Sequence, residues 1–477
     1  VFSKETALKS PSPSLAWTLT SLSLPMLLSS LGTSIANVAL PTLAREFDVA
    51  FQQVQWVVLA YLLAITTLIV SVGRLGDLIG RRRLLLAGIL LFSAASLCGG
   101  LFGFWPLIAA RALQGLGAAT MMALSMAFVA DTVPKDKTGR AMGLLGTMSA
   151  IGTALGPSLG GLLIAAFGWR AIFLVNVPLG LLAFLLTLRH LPGAGGMAKT
   201  QRAGFDYPGT LLLALTLAAY ALAMTLGRGH FGPLNTALLL VALIGLGVFV
   251  LVETKVASPL VRLTMLRDPA LSAGLTMSGL VATVMMATLV IGPFYLARGL
   301  ALDTAYVGLV MSVGPVLSAL SGVPAGHVVD RFGAQNMTLA GLCAMVAGTS
   351  LLCLLPASLG VAGYVGAIIV LTPGYALFQA ANNTAVMSGI GPEQRGVMSG
   401  LVNLARNLGL VTGASVLGAI FAYAAGAVNL ASASPAAVAA GMHFTFGVAT
   451  LLVAGAIAIG VASRVLAARP ALSRDAP

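Results

Sequence analysis

Apolar runs of about twenty residues recur along this chain from end to end, and they leave few architectures open. A run of that length crosses a hydrocarbon layer of ~30 Å as an α-helix. Inside that layer each backbone N–H and C=O must be satisfied within the segment or in a closed barrel. A barrel would show short alternating stretches, and the sequence has none. Charged residues fill 8% of the 477 positions, where soluble domains carry roughly 25%. The 56 glycines suit close approach of helices in lipid. The fold class expected is all-α integral membrane.

Run lengths and breakers predict fourteen spans. They fall at 16–40, 54–74, 84–103, 106–130, 141–166, 171–190 and 208–227, then at 235–252, 271–296, 305–326, 336–355, 361–388, 397–424 and 441–463. An even count puts both termini on one side. Of the 26 Lys and Arg residues, Arg45, Arg170, Arg228 and Arg298 fall on the opposite side, and Arg111 and Arg406 fall within spans. The other 20 (26 less those six) lie on the terminal side. That asymmetry predicts cytoplasmic termini and a multi-pass protein of a bacterial inner membrane. The formal charge of +13 is therefore a topology signal, and no base-reading patch for nucleic acid accompanies it.

Two landmarks recur at nearly equal offsets. Gly73-x-x-x-Asp77-x-x-Gly80 returns as Gly326-x-x-x-Asp330-x-x-Gly333, 253 positions later. Arg140-Ala-Met-Gly returns as Arg395-Gly-Val-Met-Ser-Gly, 255 positions later. Duplicated six-helix halves follow, with spans seven and eight an inserted hairpin. The expected layout is a cytoplasmic tail (1–15), a six-helix bundle (16–190), a linker (191–207), the hairpin (208–252), a second linker (253–270), a second six-helix bundle (271–463) and a cytoplasmic tail (464–477). The tail at 1–15 reads directly into the first span, with no cleavable leader.

Three groups of residues carry the functional expectations. In the loop after span two, Gly73, Asp77 and Gly80 with Arg81 and Arg82 form a potential latch. Asp131 at the end of span four would be a second anion, and Asp330 and Arg331 would echo the latch in the second half. The basic loop alone would also serve as a topology signal. In span five, Gly152, Gly156 and Gly160 recur every four residues beside Pro157 and Gly161, which predicts a smooth helix-packing face or a hinge. The third group is polar within the membrane. Arg111 lies about five residues inside span four, near enough the end to snorkel, whereas Arg406 lies about nine residues into span thirteen. Gln114, Gln379, Asn382 and Asn403 extend their polarity, and Asn37 ends span one. Cys98, Cys343 and Cys353 lack ligand spacing and read as packing residues. No metal-ligand or cofactor pattern is present, and no nucleophile–base pair suggests an enzyme.

These residues resemble the major facilitator superfamily, specifically its fourteen-helix drug:proton antiporters of the EmrB/QacA type. The likeness extends from position 31 to about 466. It rests on the loop at 73–83, on Arg111–Gly117, on the glycine motif at 152–161, on Gly168-Trp169-Arg170 through Asn176-Val-Pro178, and on Ile35-Ala-Asn37-Val-Ala-Leu-Pro41. It implies two pseudo-symmetric six-helix bundles plus the hairpin, working as a monomer by alternating access. It also implies efflux of small lipophilic molecules in exchange for protons, with membrane lipid as the other partner. Two positions depart from the pattern. Leu78 follows Asp77 where an Arg is usual, and Gly32 stands where span one commonly carries an Asp. Arginine stays protonated and cannot carry the exchanged proton, which leaves Asp77, Asp131 and His443 as titratable candidates. A cavity lined by spans 1, 4, 9 and 12, with 5 and 13, would be electropositive through Arg111 and Arg406. That favours neutral or anionic amphiphiles over lipophilic cations. The rival reading is an uncoupled facilitator of the same fold.

Overall fold

The computed structural model describes residues 15–69, 71–133, 135–191, 207–226, 232–256, 268–387, 395–426 and 433–472. No strand occurs among them. The first half contains α1 (Leu15–Glu46) and α2, which is broken into Phe51–Val54, Trp56–Leu68 and Val72–Ile79. It continues with α3 (Arg81–Leu101), α4 (Phe104–Thr132), α5 (Lys135–Phe167) and α6 (Ala171–Leu174 and Asn176–His190). A hairpin of α7 (Tyr207–Thr225) and α8 (Pro233–Lys255) follows. The second half has α9 (Pro269–Phe294, ending in a π turn at Tyr295–Gly299), α10 (Thr304–Phe332), α11 (Ala334–Leu354) and α12 (Gly360–Met387). It closes with α13 (Arg395–Thr412, a π turn at Gly413–Leu417, then Gly418–Ala424) and α14 (Pro435–Leu472). Among the described residues thirteen helices are long and apolar enough to span a membrane, and a shorter apolar helix, Pro208–Met224, makes the fourteenth.

Local chemistry fixes the helix ends. Asp268 caps α9 by accepting from Ala270 N at 2.9 Å, and Asp303 caps α10 by accepting from Tyr306 N at 3.0 Å. Gly80 and Gly333 join α2 to α3 and α10 to α11 with φ of 99° and 85°, a backbone region open to glycine and strained for other residues. The repeat seen in sequence is therefore a repeat of backbone conformation. The sequence placed Asp330 and Arg331 in a loop, but α10 runs on to Phe332, so both ride its last turn. Similarly α8 extends to Lys255 and buries Glu253, and α14 continues to Leu472 through most of the stretch expected as a tail. The remaining tail and linker positions, and the side chains of Gly73, Asp77 and Asp131, lie outside the described residues.

The two halves repeat one packing scheme. Helix α1 packs on α5 and α3 on α4 in the first half; α9 packs on α13 and α11 on α12 in the second. The glycine stripe of α5 meets α1 directly. A Cβ on Gly156 would lie 2.8 Å from Ile35 N, and one on Gly160 would lie 2.7 Å from Val38 Cγ1. The same device joins α13 to α9, where a Cβ on Gly409 would lie 2.8 Å from Ala282 Cβ and one on Gly413 would lie 2.7 Å from Met286 Cβ. With no side chain between them, backbones approach closely and gain dispersion contacts along their length. The hairpin breaks the symmetry. Helix α7 leans on both α2 and α13, through Ser71 Oγ to Thr210 Oγ1 at 2.9 Å and Tyr220 OH to Thr412 Oγ1 at 3.3 Å. Its partner α8 turns Leu243 and Ile244 outward, 64% and 65% exposed, as a lipid-facing surface. The three cysteines are free, with Cys98 and Cys343 exposed on the helix surface rather than packed inside as the sequence suggested.

The glycine contact generates a test. Gly156→Leu is expected to lower the midpoint of thermal unfolding in detergent, at a cost of about 1–3 kcal/mol from overpacking. Leu at Gly146, which has nothing within 4 Å of its Cβ position, should leave the midpoint unchanged.

Candidate functional site

The guanidinium of Arg111 is sealed inside the first half, 1% exposed. Its Nε donates to Val57 O of α2 at 2.7 Å, and one terminal nitrogen donates to Gly32 O of α1 at 3.0 Å. The other terminal nitrogen donates to Gln114 Oε1, one turn along α4. Gln114 passes the connection on by donating from Nε2 to Ser96 Oγ of α3 at 2.7 Å. Tyr61 lies against the cation, with its ring centroid 4.1 Å from the guanidinium carbon, and its hydroxyl donates to Ser29 O at 2.7 Å. One residue thus ties α1, α2 and α4 together, and α3 through Gln114. The attraction is charge-assisted hydrogen bonding and cation–π contact in a low-dielectric interior, with no carboxylate in the set. Gly32 makes room for it, since a Cβ there would lie 3.0 Å from Tyr61 Oη and 3.3 Å from Phe92. The sequence expected Arg111 and Gln114 to line a cavity; the structure packs them among four helices.

A second arrangement lies where the halves meet. Taking the side of Arg81, Arg82 and Arg83 as the basic side, the closest contacts between halves gather on the far side. Gly161 on α5 faces α10, where its Cβ would sit 2.8 Å from Thr304 O and 2.9 Å from Gly308 Cα. Phe51, at the start of α2, meets Phe294 of α9 and Phe421 of α13 edge-on, at 4.7 and 5.5 Å between centroids. One turn further, Gln55 donates from Nε2 to Ala414 O at 2.8 Å. That carbonyl sits in the π turn of α13, where the regular hydrogen-bond ladder is interrupted, and glycine at 418 leaves room for the amide. Gln52 is 2% exposed, and neither polar atom of its amide has a hydrogen-bond partner among the described residues. The sequence reading began span two at 54 and so left out Phe51 and Gln52, and it gave Gln55, just inside the span, no role; the glutamine spacing ahead of an apolar run was the available signal.

Toward the basic side the second half presents polar surface. Asn383 and Thr384 on α12 are exposed, and so is Arg406 on α13, which makes no hydrogen bond or ion pair among the described residues. Asn403 and Gln379 are half-buried, and Asn382 is buried, donating to Gly274 O of α9 at 3.1 Å. Asn37 donates to Thr33 O and Ser34 O of its own helix, and its buried Oδ1 has no hydrogen-bond partner among the described residues. Arg111 and Arg406 therefore do not share one surface. The loop expected after span two is Gly80 alone, so Gly73 and Asp77 fall in the last segment of α2, and Arg81 and Arg82 in the first turn of α3, where Arg82 donates to Leu188 O of α6 at 2.5 Å. Asp330 and Arg331 are exposed, Arg331 over the Phe332 ring at 5.3 Å.

This all-helical arrangement of paired halves has counterparts among known proteins. Residues 22–414 match the Major Facilitator Superfamily. The chain belongs to that superfamily. As a facilitator-superfamily protein it is a multi-pass membrane transporter and not an enzyme. Riboflavin transporter RibZ of Clostridioides difficile is 30% identical over 396 residues, covering 83% of this chain and 86% of that protein. Multidrug resistance protein Stp of Mycobacterium tuberculosis is 33% identical over 400 residues, covering 81% and 72%. A solved bacterial homolog of the lysosomal transporter Spinster, in an inward-facing and unoccupied conformation, matches with a TM-score of 0.66 at 15% identity, covering 94% of this chain and 97% of that one. That likeness speaks to the fold.

The buried guanidinium is open to a direct check. Arg111→Lys keeps the charge but offers a single nitrogen to acceptors on separate helices. It is expected to lower the thermal midpoint in detergent by the equivalent of about 1.5–3 kcal/mol, the range for a lost hydrogen bond to a charged group. An unchanged midpoint would remove the tie from the account of the first half.

Proposed function

We propose that this superfamily member is a secondary efflux transporter of the fourteen-helix drug:proton antiporter branch. It carries small lipophilic molecules outward across a bacterial inner membrane by alternating access, in exchange for protons. The observation that carries this reading is the asymmetry of the seam. Gly161–Gly308 and Gln55–Ala414 hold it on the far side, while Asn383, Thr384 and Arg406 are exposed toward the other. The Lys and Arg distribution makes the basic side cytoplasmic, so the exposed polar face is where a substrate loads. Release requires the far side to part. The Gln55 to Ala414 tie is a neutral hydrogen bond contributing roughly 0.5–1.5 kcal/mol net, small enough to break and remake in each cycle. The names of the Stp and RibZ relatives support small organic molecules as the cargo.

Of the two arginines within spans, Arg406 is the one left to meet a substrate once Arg111 is sealed away, and it favours neutral or anionic amphiphiles. Arg111 and Arg406 stay protonated and carry no exchanged proton. That role falls to Asp77 or Asp131 on the basic side. A second reading, an uncoupled facilitator, is favoured by one specific observation. Tyr61 and Phe92 occupy the space beside Gly32, so α1 has neither a carboxylate nor room for one there.

Transport in proteoliposomes decides between them. Uphill accumulation of a lipophilic carboxylate under an imposed pH gradient, abolished by a protonophore and by Asp77→Asn or Asp131→Asn, is expected of the antiporter. Counterflow that ignores the gradient, with no uphill accumulation, would establish the facilitator instead. Independently, Arg406→Gln should reduce the preference for a carboxylate over a quaternary ammonium of equal apolar area by about tenfold or more, given ~1.5–3 kcal/mol for a charged hydrogen bond. Tighter binding of the ammonium by the unmodified protein would overturn the charge preference.

A further inference from the structure

On the far side, where the ends of α1 and α9 come together, lies a pocket of about 240 Å³. That is room for roughly eight waters at ~30 Å³ each. One wall is a single face of α1, with Thr42 and Arg45 a turn apart. The opposite wall is the turn from α9 into α10, with Arg298, Asp303 and Thr304, over an apolar floor that includes Val307. The two arginines thus come from different halves of the protein and line one concave site. Neither has a hydrogen bond or ion pair among the described residues. Asp303 lines the same pocket, but its Oδ1 already accepts from Tyr306 N as the cap of α10.

The two guanidinium groups face a single carboxylate, Asp303, so the pocket keeps a net positive charge, and packing the halves together is what brings them there. Guanidinium groups are suited to bidentate contact with the oxygens of phosphate or carboxylate, and two of them can grip one such group from opposite sides. We propose that this pocket is an oxyanion site that takes a phosphate group, held between Arg45 of the first half and Arg298 of the second with Thr42 as a further donor. The ligand chemistry is shared by a free phosphate ion and by the phosphodiester of an anionic lipid whose headgroup lies at this depth. Because each half supplies one arginine, the site is complete only while the far side is closed. An anion at ten times its dissociation constant, binding the closed form alone, multiplies the closed-to-open ratio about elevenfold. This linkage rests on the alternating-access reading, whereas the site itself does not.

Two measurements separate site from linkage. In detergent at constant ionic strength, inorganic phosphate should raise the thermal midpoint of the whole protein relative to chloride. Arg45→Gln or Arg298→Gln should weaken the half-maximal concentration by about tenfold or more, while Asp303→Asn, which removes a facing negative charge, should tighten it. No rise with the unmodified protein, or an equal rise in the Arg45→Gln/Arg298→Gln double variant, would overturn the site. For the linkage, alkylation of a Gln52→Cys variant reports parting of the far side, read by mass spectrometry on that peptide because Cys98 and Cys343 are also exposed. Phosphate should slow that alkylation. Slowing in phosphatidylglycerol nanodiscs without added phosphate, and not in phosphatidylcholine nanodiscs, assigns the lipid source; slowing by free phosphate in both assigns the ion. A thermal shift with unaltered alkylation would overturn the linkage and keep the site. Absence of alkylation under every condition, including added substrate, would count against alternating access and leave the thermal result to decide the site.

Discussion

Close approach of backbone to backbone, made possible by missing side chains, is the contact on which the rest of this structure is built. Lipid offers no hydrophobic gain when apolar helices associate, so packing must come from dispersion and from hydrogen bonds that only near neighbours can make. Gly152, Gly156 and Gly160 bring α5 onto α1, and Gly409 and Gly413 bring α13 onto α9 in the same way. Gly161 then offers a second face of α5 to Gly308, so one helix bonds within its half and across the seam. The Gln55 amide reaching Ala414 and the phenylalanine contacts of the far side depend on that approach.

The buried arginine works within the same scheme. A permanent cation among four helices would be prohibitive if it faced hydrocarbon, but carbonyls of α1 and α2 and the Gln114 amide solvate it, and the Tyr61 ring covers it. Gly32 permits this by leaving a space that the aromatic side chains occupy. The absence of a side chain at one position and the burial of a charge at another are two aspects of one packing solution.

Much of the architecture was legible in the sequence because hydrophobic run length and glycine spacing are local properties. All fourteen helices lie close to the predicted spans, and Gly80 and Gly333 share the conformation that their repeated spacing suggested. The candidate site was less legible. An arginine inside a span signals that it must be satisfied, but not whether by substrate, water or carbonyl groups. Arg111 and Arg406 carry the same signal and end in opposite environments, because the neighbours that decide it, Gly32 and Val57 for Arg111, lie 79 and 54 positions away. The far-side contact of Gln55 depends on pairing between halves, with 359 positions between Gln55 and Ala414. No reading of a single segment reveals it.

The inserted hairpin gives the seam two unequal flanks. Helix α7 lies across α2 and α13 and covers one lateral seam between the halves, whereas at the other α5 and α10 pack directly on each other with no third helix across them among the described residues. A duplicated fold without the hairpin would present the lipid phase with two equivalent seams. Here one seam is covered by a third helix and the other is a bare pair of helices in close contact, so the protein has a front and a back in the plane of the membrane.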